Sequence, residues 1–391
     1  MAISIRALLS QGKDVVRLCE THDISSTEII RNTITDDGQR FDGLWFGGLC
    51  QTTYLGIPDT ELISPLQRAA LLLLENNFYQ QRSKPSLRKP VCAAFDADSG
   101  GALADIPALV ALLDLMGISM VIIEDKSVSE PGEKVNSLGE SSGAQPQADK
   151  HEFANVIRIF KAAAVNRDVM VTARIESFTV RKRRADEAEE KASVQAALQD
   201  ALDRAQVYHE AGVDAIMIHS KSRDPGEVKS FLTEYRSRDS VTPLVVVPTT
   251  YSDTLQSDLY NSGANVIIYA NHLMRAKISA VSKISKQLLA ENPDLFSDDH
   301  ELSACLEAQN FGCLLRILWE RKYLGKESKV SQMYRIIATT YASENMRATV
   351  QDLLTGEQSG CEADERIIPV KDLLKINARQ IYNPGDLLPR H

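Results

Sequence analysis

Apolar residues fall along this chain in short β-branched runs, set apart by longer stretches with helical spacing. The runs are DVVRLCE, DGLWFGG, VCAAFDAD, SMVIIEDK, VMVTARIE, AIMIHSK, LVVVPTT and NVIIYAN. Between them, SPLQRAALLLLENNF, ADIPALVALLDLMG, HEFANVIRIFKAAAV and ALQDALDRAQVYHEAG repeat apolar residues at the period of a helix. Several of these stretches reach Gly or Asn before the next run, as helix C-caps do. Strands alternating with helices in this way predict an α/β protein with a (β/α)8 barrel. The competing doubly wound sheet wants a Gly-rich phosphate loop after its first strand, and neither GxGxxG nor the P-loop pattern occurs.

In a barrel the chemistry sits at the C-terminal ends of the strands. Read in order, those ends carry Thr21, His22 and Asp23; Trp45, Gly47 and Gly48; Asp96 and Asp98; Glu124, Asp125 and Lys126; Arg174 and Glu176; His219, Ser220 and Lys221; Thr249 and Thr250; Asn271 and His272. Acids gather on the third and fourth strands and bases on the fifth and sixth, which predicts a polar rim around one mouth. If the extended geometry persists, Asp96 and Asp98 point to one side. Paired carboxylates suit a hard divalent cation such as Mg2+, which keeps several waters and needs only one or two direct carboxylates. Glu124 and Asp59, in LGIPDTE, are placed to hold those waters. Arg174 suits either a charge-balancing role or a bidentate grip on carboxylate or phosphate. His219 suits either a structural hydrogen bond or a ligand contact. Gly47 and Gly48, just past Trp45, suit an anion cradle of backbone N–H groups or a tight turn.

Three segments lie outside the plain alternation. The loop 127–150 is rich in Ser, Gly and Pro, and a loop this long in a compact domain is functional or disordered. Residues 180–194, VRKRRADEAEEKASV, join a basic to an acidic block and predict a solvated helix with i,i+4 ion pairs. Residues 292–365 show helical periodicity beyond the barrel. The expected organisation is a barrel domain over 1–291, an inserted helical segment over 292–365, and a C-terminal helix and tail over 366–391 that complete the barrel domain.

Composition narrows the class. The chain has 391 residues, a formal charge of −9 and an apolar fraction of 43%, room for one large core plus an appendage. The acidic balance argues against nucleic acid as a partner. None of the six cysteines forms a CxxC pair, and Cys19 and Cys92 sit in apolar runs, so neither a zinc site nor a disulfide frame is expected. The first residues lack a long apolar run, and no stretch reaches the roughly 18 apolar residues of a membrane span. The expectation is a soluble, cytoplasmic protein.

GLWFGGLCQTTYLGIPD, FDAD, the EDK of the fourth strand with KVNS beyond it, ARIES, AGVDAIMIHSK, VVVPTTY and YANHLMRA together resemble the phosphoenolpyruvate mutase family. That family lies within the isocitrate lyase/phosphoenolpyruvate mutase superfamily. The resemblance spans roughly residues 5–290, and again about 366–385. It implies a modified (β/α)8 barrel whose last helix is exchanged between subunits, giving a homodimer or homotetramer. It also implies Mg2+-dependent interconversion of phosphoenolpyruvate and phosphonopyruvate, the entry to phosphonate biosynthesis, with a downstream pathway enzyme as a partner.

Matched motif by motif, Asp96 resembles the direct Mg2+ ligand, and Asp98, Asp59 and Glu124 the acids that hold its waters. Gly48 and Leu49 resemble backbone donors to the substrate, with Trp45 and Gly47 beside them. Arg174 and His219 resemble the residues that grip its carboxylate and phosphoryl ends. Lys134, Asn136 and Ser137 resemble a mobile lid. The chain departs from the family in carrying Gly47 where Ser is usual, and in a longer lid. The lid has neither the Cys nor the His of isocitrate and methylisocitrate lyases. Phosphonopyruvate hydrolase, the nearer alternative, resembles the mutase but carries Thr at the place of Asn136. A non-catalytic scaffold acting through 292–365 is the reading from a different class.

Overall fold

The computed structural model describes residues 3–82, 91–128, 130–139 and 145–290. Eight parallel strands close into a barrel in sequence order: β1 (Val16–Glu20), β2 (Gly43–Phe46), β3 (Cys92–Asp96), β4 (Met120–Glu124), β5 (Met170–Ile175), β6 (Ala215–Ile218), β7 (Leu244–Val246) and β8 (Val266–Tyr269). Each of the eight apolar runs became one of these strands. β8 returns to β1 in register, Val16 opposite Val266 and Leu18 opposite Ile268.

Alternation along the strands separates two cores. Val16, Leu18, Trp45, Ala94, Met120, Ile122, Met170, Met217, Val245 and Ile268 fill the barrel interior. Cys19, Leu44, Phe95, Val121, Ile123, Val171, Ala173 and Ile216 face outward and pack beneath the surrounding helices, with Phe153, Ile157 and Phe160 from helix Lys150–Ala163. The same period carries Asp96, Glu124, Arg174 and His219 inward, one step beyond the last apolar interior layer. Register places Glu124 opposite Arg174 across β4 and β5.

The helices follow the predicted stretches, with caps that satisfy their first N–H groups. The Asp149 side chain accepts from the N–H groups of His151 and Glu152, and that of Asp186 from Glu189. Residues 180–194 are helical only in part. Helix Glu187–Glu210 starts at the acidic block, and the Lys191–Glu187 pair at 2.8 Å is the expected i,i+4 contact. The basic block Arg181–Arg184 stays outside the helix, because Arg181 is drawn to Glu190 and Glu227 instead.

Cys19, Cys50 and Cys92 are buried free thiols. No helix among the described residues is long and apolar enough to cross a membrane. The described residues divide into two compact units, one of 3–33 with 40–274 and one of 34–39 with 275–290. The barrel and the mouth residues belong to the first. The expected segment 292–365 and the terminal helix and tail 366–391 lie outside the described residues.

Candidate active site

The polar rim begins on β3. Asp96 ends the strand, but Asp98 does not continue it. Its φ is +48°, in the left-handed region, which a short polar side chain tolerates better than a branched one. This corrects the expectation of two acids aligned by an extended strand. The chain turns, and the Asp98 N–H donates back to Asp96 Oδ1 at 3.2 Å. The Gly48 N–H, at the first turn of helix Gly48–Leu55, donates to Asp96 Oδ2 at 3.1 Å. A Cβ on Gly48 would stand 3.0 Å from Asp98 Oδ1, 3.3 Å from Asp59 Oδ1 and 3.5 Å from Asp96 Oδ2, so the helix start lies directly over three acids.

Arg68 supports these acids from below, and the pattern of the sequence alone did not single it out. It is 1% exposed on helix Pro65–Arg82. Its Nη2 donates to Asp98 Oδ2 at 2.5 Å and to the Asp96 carbonyl at 2.6 Å, and its Nη1 to Gln51 Oε1 at 2.7 Å. The guanidinium stacks 5.0 Å from the centre of the Phe95 ring. A signal was available: Arg68 occupies the inward face of an otherwise apolar helical run, one turn before Leu72.

The loop after β4 reaches across to the same acids. Lys126, at the strand end, donates from Nζ to the Val135 carbonyl at 2.8 Å and to Ser137 Oγ at 2.6 Å. Val135 N–H donates to Gln145 Oε1 at 2.7 Å, and a bridge between Lys126 and Gln147 ties the base of the loop. So fixed, the loop sets Lys134 Nζ 3.2 Å from Asp59 Oδ1 and in direct contact with Asp98. Asn136 Nδ2 donates to Asp59 Oδ2 at 2.7 Å. Burial pushes the Asp98 carboxyl up, but Arg68 and Lys134 together outweigh it and hold the group at about 2. Burial alone would lower the Lys134 ammonium; Asp59 and Asp98 reverse this and hold it well above its ordinary value.

On β5, Arg174 pairs with Glu124 on one side and Glu176 on the other. It also donates from Nη2 to Ser137 Oγ at 2.7 Å. Burial pushes Glu124 up, against the pull of Arg174 and Lys126. His219 is buried, with Nδ1 3.4 Å from Glu176 Oε1, too long for a well-formed hydrogen bond. Burial lowers its pKa below 6.5, against the opposing pull of Glu176, so the imidazole is neutral near pH 7. Asp125, one residue past Glu124, faces away from the mouth. It takes bonds from Tyr208 Oη at 2.7 Å, Gln147 Nε2 at 2.9 Å and the Glu176 N–H at 2.9 Å, and anchors the rim from outside.

Glu61 is a second residue not singled out beforehand. It has φ +59° and is buried; Oε1 accepts from Ser99 Oγ at 2.7 Å, while Oε2 has no partner. Burial, with the charge of Asp98, pushes it up to about 7. The sequence-predicted residues Asp59, Asp96, Asp98, Lys134, Asn136 and Gly48 thus converge at one point, and Glu124, Arg174, Ser137 and His219 continue the line across the mouth. Leu49 follows Gly48 in the same helical turn, and Trp45 and Gly47 close the β2 edge.

These groups fit a hard divalent cation by donor type, all being carboxylate oxygens. Glu124 Oε1 has no hydrogen-bond partner among the described residues, while Oε2 is held in the ion pair with Arg174. Although Asp59, Asp96 and Asp98 gather beneath Gly48, no three acidic, histidine or cysteine side chains among the described residues are arranged as a closed set of metal ligands, and the Lys134 ammonium contacts both Asp59 and Asp98. A cation held mainly through waters, with one direct carboxylate, does not need such a cluster.

Comparison with known proteins adds to this geometry. The model of the family described as phosphoenolpyruvate phosphomutase matches residues 5–289. A phosphoenolpyruvate phosphomutase of Tetrahymena pyriformis is 32% identical over 280 residues, covering 71% of this chain and 80% of that one. The crystal structure of a phosphoenolpyruvate phosphomutase from Streptomyces platensis subsp. rosaceus superposes with a TM-score of 0.60 at 28% identity, covering 82% of this chain and 98% of that one. A phosphonopyruvate hydrolase solved with oxalate and Mg2+ shares the fold, with a TM-score of 0.57 at 23% identity and coverage of 82% and 98%.

Proposed function

Since the chain belongs to the phosphoenolpyruvate phosphomutase family, we propose that it interconverts phosphoenolpyruvate and phosphonopyruvate with Mg2+, within one closed site. The observation that carries this reading is the lid segment. Lys134, Asn136 and Ser137 lie against the β3–β5 acids and Arg174, so cations and amide donors converge where a phosphoryl group and a carboxylate would both need holding.

Asp96 would be the direct ligand of the metal, with Asp59, Asp98 and Glu124 on its waters; once bound, Mg2+ would neutralise developing negative charge on the enolate and carboxylate oxygens. The Leu49 N–H and Arg174 orient the pyruvate portion, joined by the Gly48 N–H when it exchanges Asp96 Oδ2 for the substrate. Asn136 and His219 face the phosphoryl group; neutral His219 donates one hydrogen bond without adding a charge. The P–O bond to the enol oxygen breaks, and that oxygen keeps the electron pair. C3 of the resulting enolate then forms the P–C bond, so no proton enters or leaves. A loose, metaphosphate-like transition state needs positioning and charge stabilisation more than covalent help. The lid must also exclude water, since capture by water would yield orthophosphate and pyruvate.

Hydrolysis of phosphonopyruvate is the second reading. A sequence relative named phosphonopyruvate hydrolase, 28% identical over 246 residues, favours it, and Asn136 favours transfer to carbon. By this account the enzyme works as a homo-oligomer in the cytoplasm, in a pathway that makes phosphonates. Phosphorus NMR of the full chain with phosphonopyruvate and Mg2+ tests the proposal in the thermodynamically easy direction. Phosphoenolpyruvate is the expected product; orthophosphate assigns the hydrolase, and an unchanged spectrum removes both.

A further inference from the structure

The basic block Arg181–Arg184 has no part in the chemistry proposed at the mouth, yet it edges a cavity of its own. An open cleft of about 760 Å³ lies where helix Glu187–Glu210 begins, within the roughly 300–1,000 Å³ of small-molecule sites. Gln147 and Ser177 belong to its lining. Gln147 Nε2 donates to Ser177 Oγ at 3.2 Å and to Asp125 Oδ2 at 2.9 Å. Asp125 faces away from the mouth, so the cleft lies on the outer side of the rim. Arg181, Lys182 and Arg184 line it with positive charge, and Val180, Ala192 and Ala196 give it an apolar wall. The two alanines are four residues apart and share one face of the helix. An anion already sits at the basic edge. Glu190 Oε2 accepts from the Arg184 N–H at 2.7 Å, and its Oε1 from Arg181 Nη1 at 2.8 Å. These donors, the Arg184 N–H first, hold the Glu190 carboxyl below the usual range. Lys182 and Arg184 are exposed, and neither side chain makes an ion pair or hydrogen bond among the described residues. Of the two acids in the lining, Asp200 is already held by Ser177 and Arg204, so Glu189 alone stands against these two cations.

We infer that this cleft is a second ligand site, separate from the mouth, and that it takes a phosphate monoester. The phosphate displaces the Glu190 carboxylate from Arg181 and the Arg184 N–H and draws in the Lys182 ammonium and the Arg184 guanidinium. The organic part of the ester lies on Val180, Ala192 and Ala196. Glu190 thus marks the donors a phosphate would use, and it is the weaker occupant. A phosphate monoester carries about −1.5 to −2 charges at pH 7 and three strong acceptor oxygens, against one charge and two oxygens on a carboxylate. A guanidinium beside a backbone N–H suits such a group. The apolar wall gives an ester an advantage over free phosphate, because only the ester has a body to bury there. The site does not depend on the reaction proposed at the mouth.

The test is calorimetric titration of phenyl phosphate, a phosphate with a flat apolar body, into the full chain without divalent metal. Wild type should bind it. Lys182→Ala combined with Arg184→Ala changes two exposed side chains remote from the mouth, and should weaken binding about tenfold or more, the loss expected when charged partners of an anion are removed. Glu190→Gln removes the competing carboxylate and should tighten binding several-fold. Inorganic phosphate should bind more weakly than phenyl phosphate. Wild type that binds no phenyl phosphate overturns the inference. So does undiminished binding in the double variant, which would put the ligand elsewhere, at the mouth first of all. Glu190→Gln that binds no tighter than wild type, or inorganic phosphate bound as tightly as the ester, contradicts it as well.

Discussion

The Lys134 ammonium lies between two carboxylates, 3.2 Å from Asp59 Oδ1 and in contact with Asp98. Asp59 and Asp98 are also two of the acids assigned to the waters of a divalent cation. One lid side chain therefore balances the charge of both acids, and under the proposed function it competes with the divalent cation for them. Lys134→Met keeps the apolar stem and removes the charge. It should raise Mg2+ affinity about tenfold, a modest share of the Coulomb energy of such a pair at an effective dielectric near 20, while lowering turnover. Calorimetry with Mg2+ alone reads this out; weaker Mg2+ binding in the variant would mean that Lys134 shapes the site rather than competes for it.

Arg68 carries a different prediction, one about stability. It is buried beneath Asp98 with both Nη atoms engaged. Arg68→Met leaves the Asp98 carboxylate buried beside Lys134 alone, and removing one partner of a buried pair costs about 3–5 kcal/mol. Arg68→Lys should recover little of this, since an ammonium cannot reach Gln51, Asp98 and the Asp96 carbonyl together. Chemical denaturation of the three proteins checks it. A lysine variant as stable as wild type would show that charge alone suffices.

Asn136 separates turnover from metal binding. Its Nδ2 donates to Asp59 Oδ2 at 2.7 Å, and its Oδ1 accepts from the Leu138 N–H at 2.9 Å, so the amide is held from both ends. Asn136→Ala should lower kcat by about 100-fold, as loss of one placed donor in a closed site does, and leave Mg2+ affinity nearly unchanged. Steady-state rates and Mg2+ titration of the same preparation decide this. Equal losses in both would move Asn136 from the phosphoryl group to the metal.

His219 predicts a pH dependence of stability. Its folded pKa is below the ordinary 6.5 because burial disfavours the cation. The unfolded chain therefore takes up the proton first as pH falls. The contribution of neutral His219 is complete above 6.5 and declines as pH drops from 6.5 towards the folded value. In thermal unfolding between pH 8 and pH 5, His219→Gln should lose less stability on acidification than wild type. Parallel profiles would show that the imidazole is not held neutral.

What the sequence shows about the fold follows from short-range periodicity. Alternation on β3 to β6 is enough to carry Asp96, Glu124, Arg174 and His219 into one inward layer, because each strand end inherits its phase from the apolar residues before it. Asp98 escapes that logic: its left-handed turn is a local exception for a non-glycine residue, and the strand period says nothing of where it begins. Lys134 meets Asp59 across 75 residues of chain, a closure that no local pattern encodes. Arg68 hides inside an apolar run, where a single charge reads as tolerated rather than placed. The basic block at Arg181–Arg184 reads as helix until the pull of Glu190 and Glu227 on Arg181 is seen.

The central claim is that phosphoryl group and enolate stay together in one closed site. A crossover experiment tests it most directly. Phosphonopyruvate labelled with heavy oxygen on phosphorus and heavy carbon at C3 is mixed with unlabelled phosphonopyruvate, turned over with Mg2+, and the phosphoenolpyruvate formed is read by mass spectrometry. The account predicts only doubly labelled and unlabelled product. Singly labelled product would mean that the phosphoryl group leaves one molecule and joins another, and would contradict it.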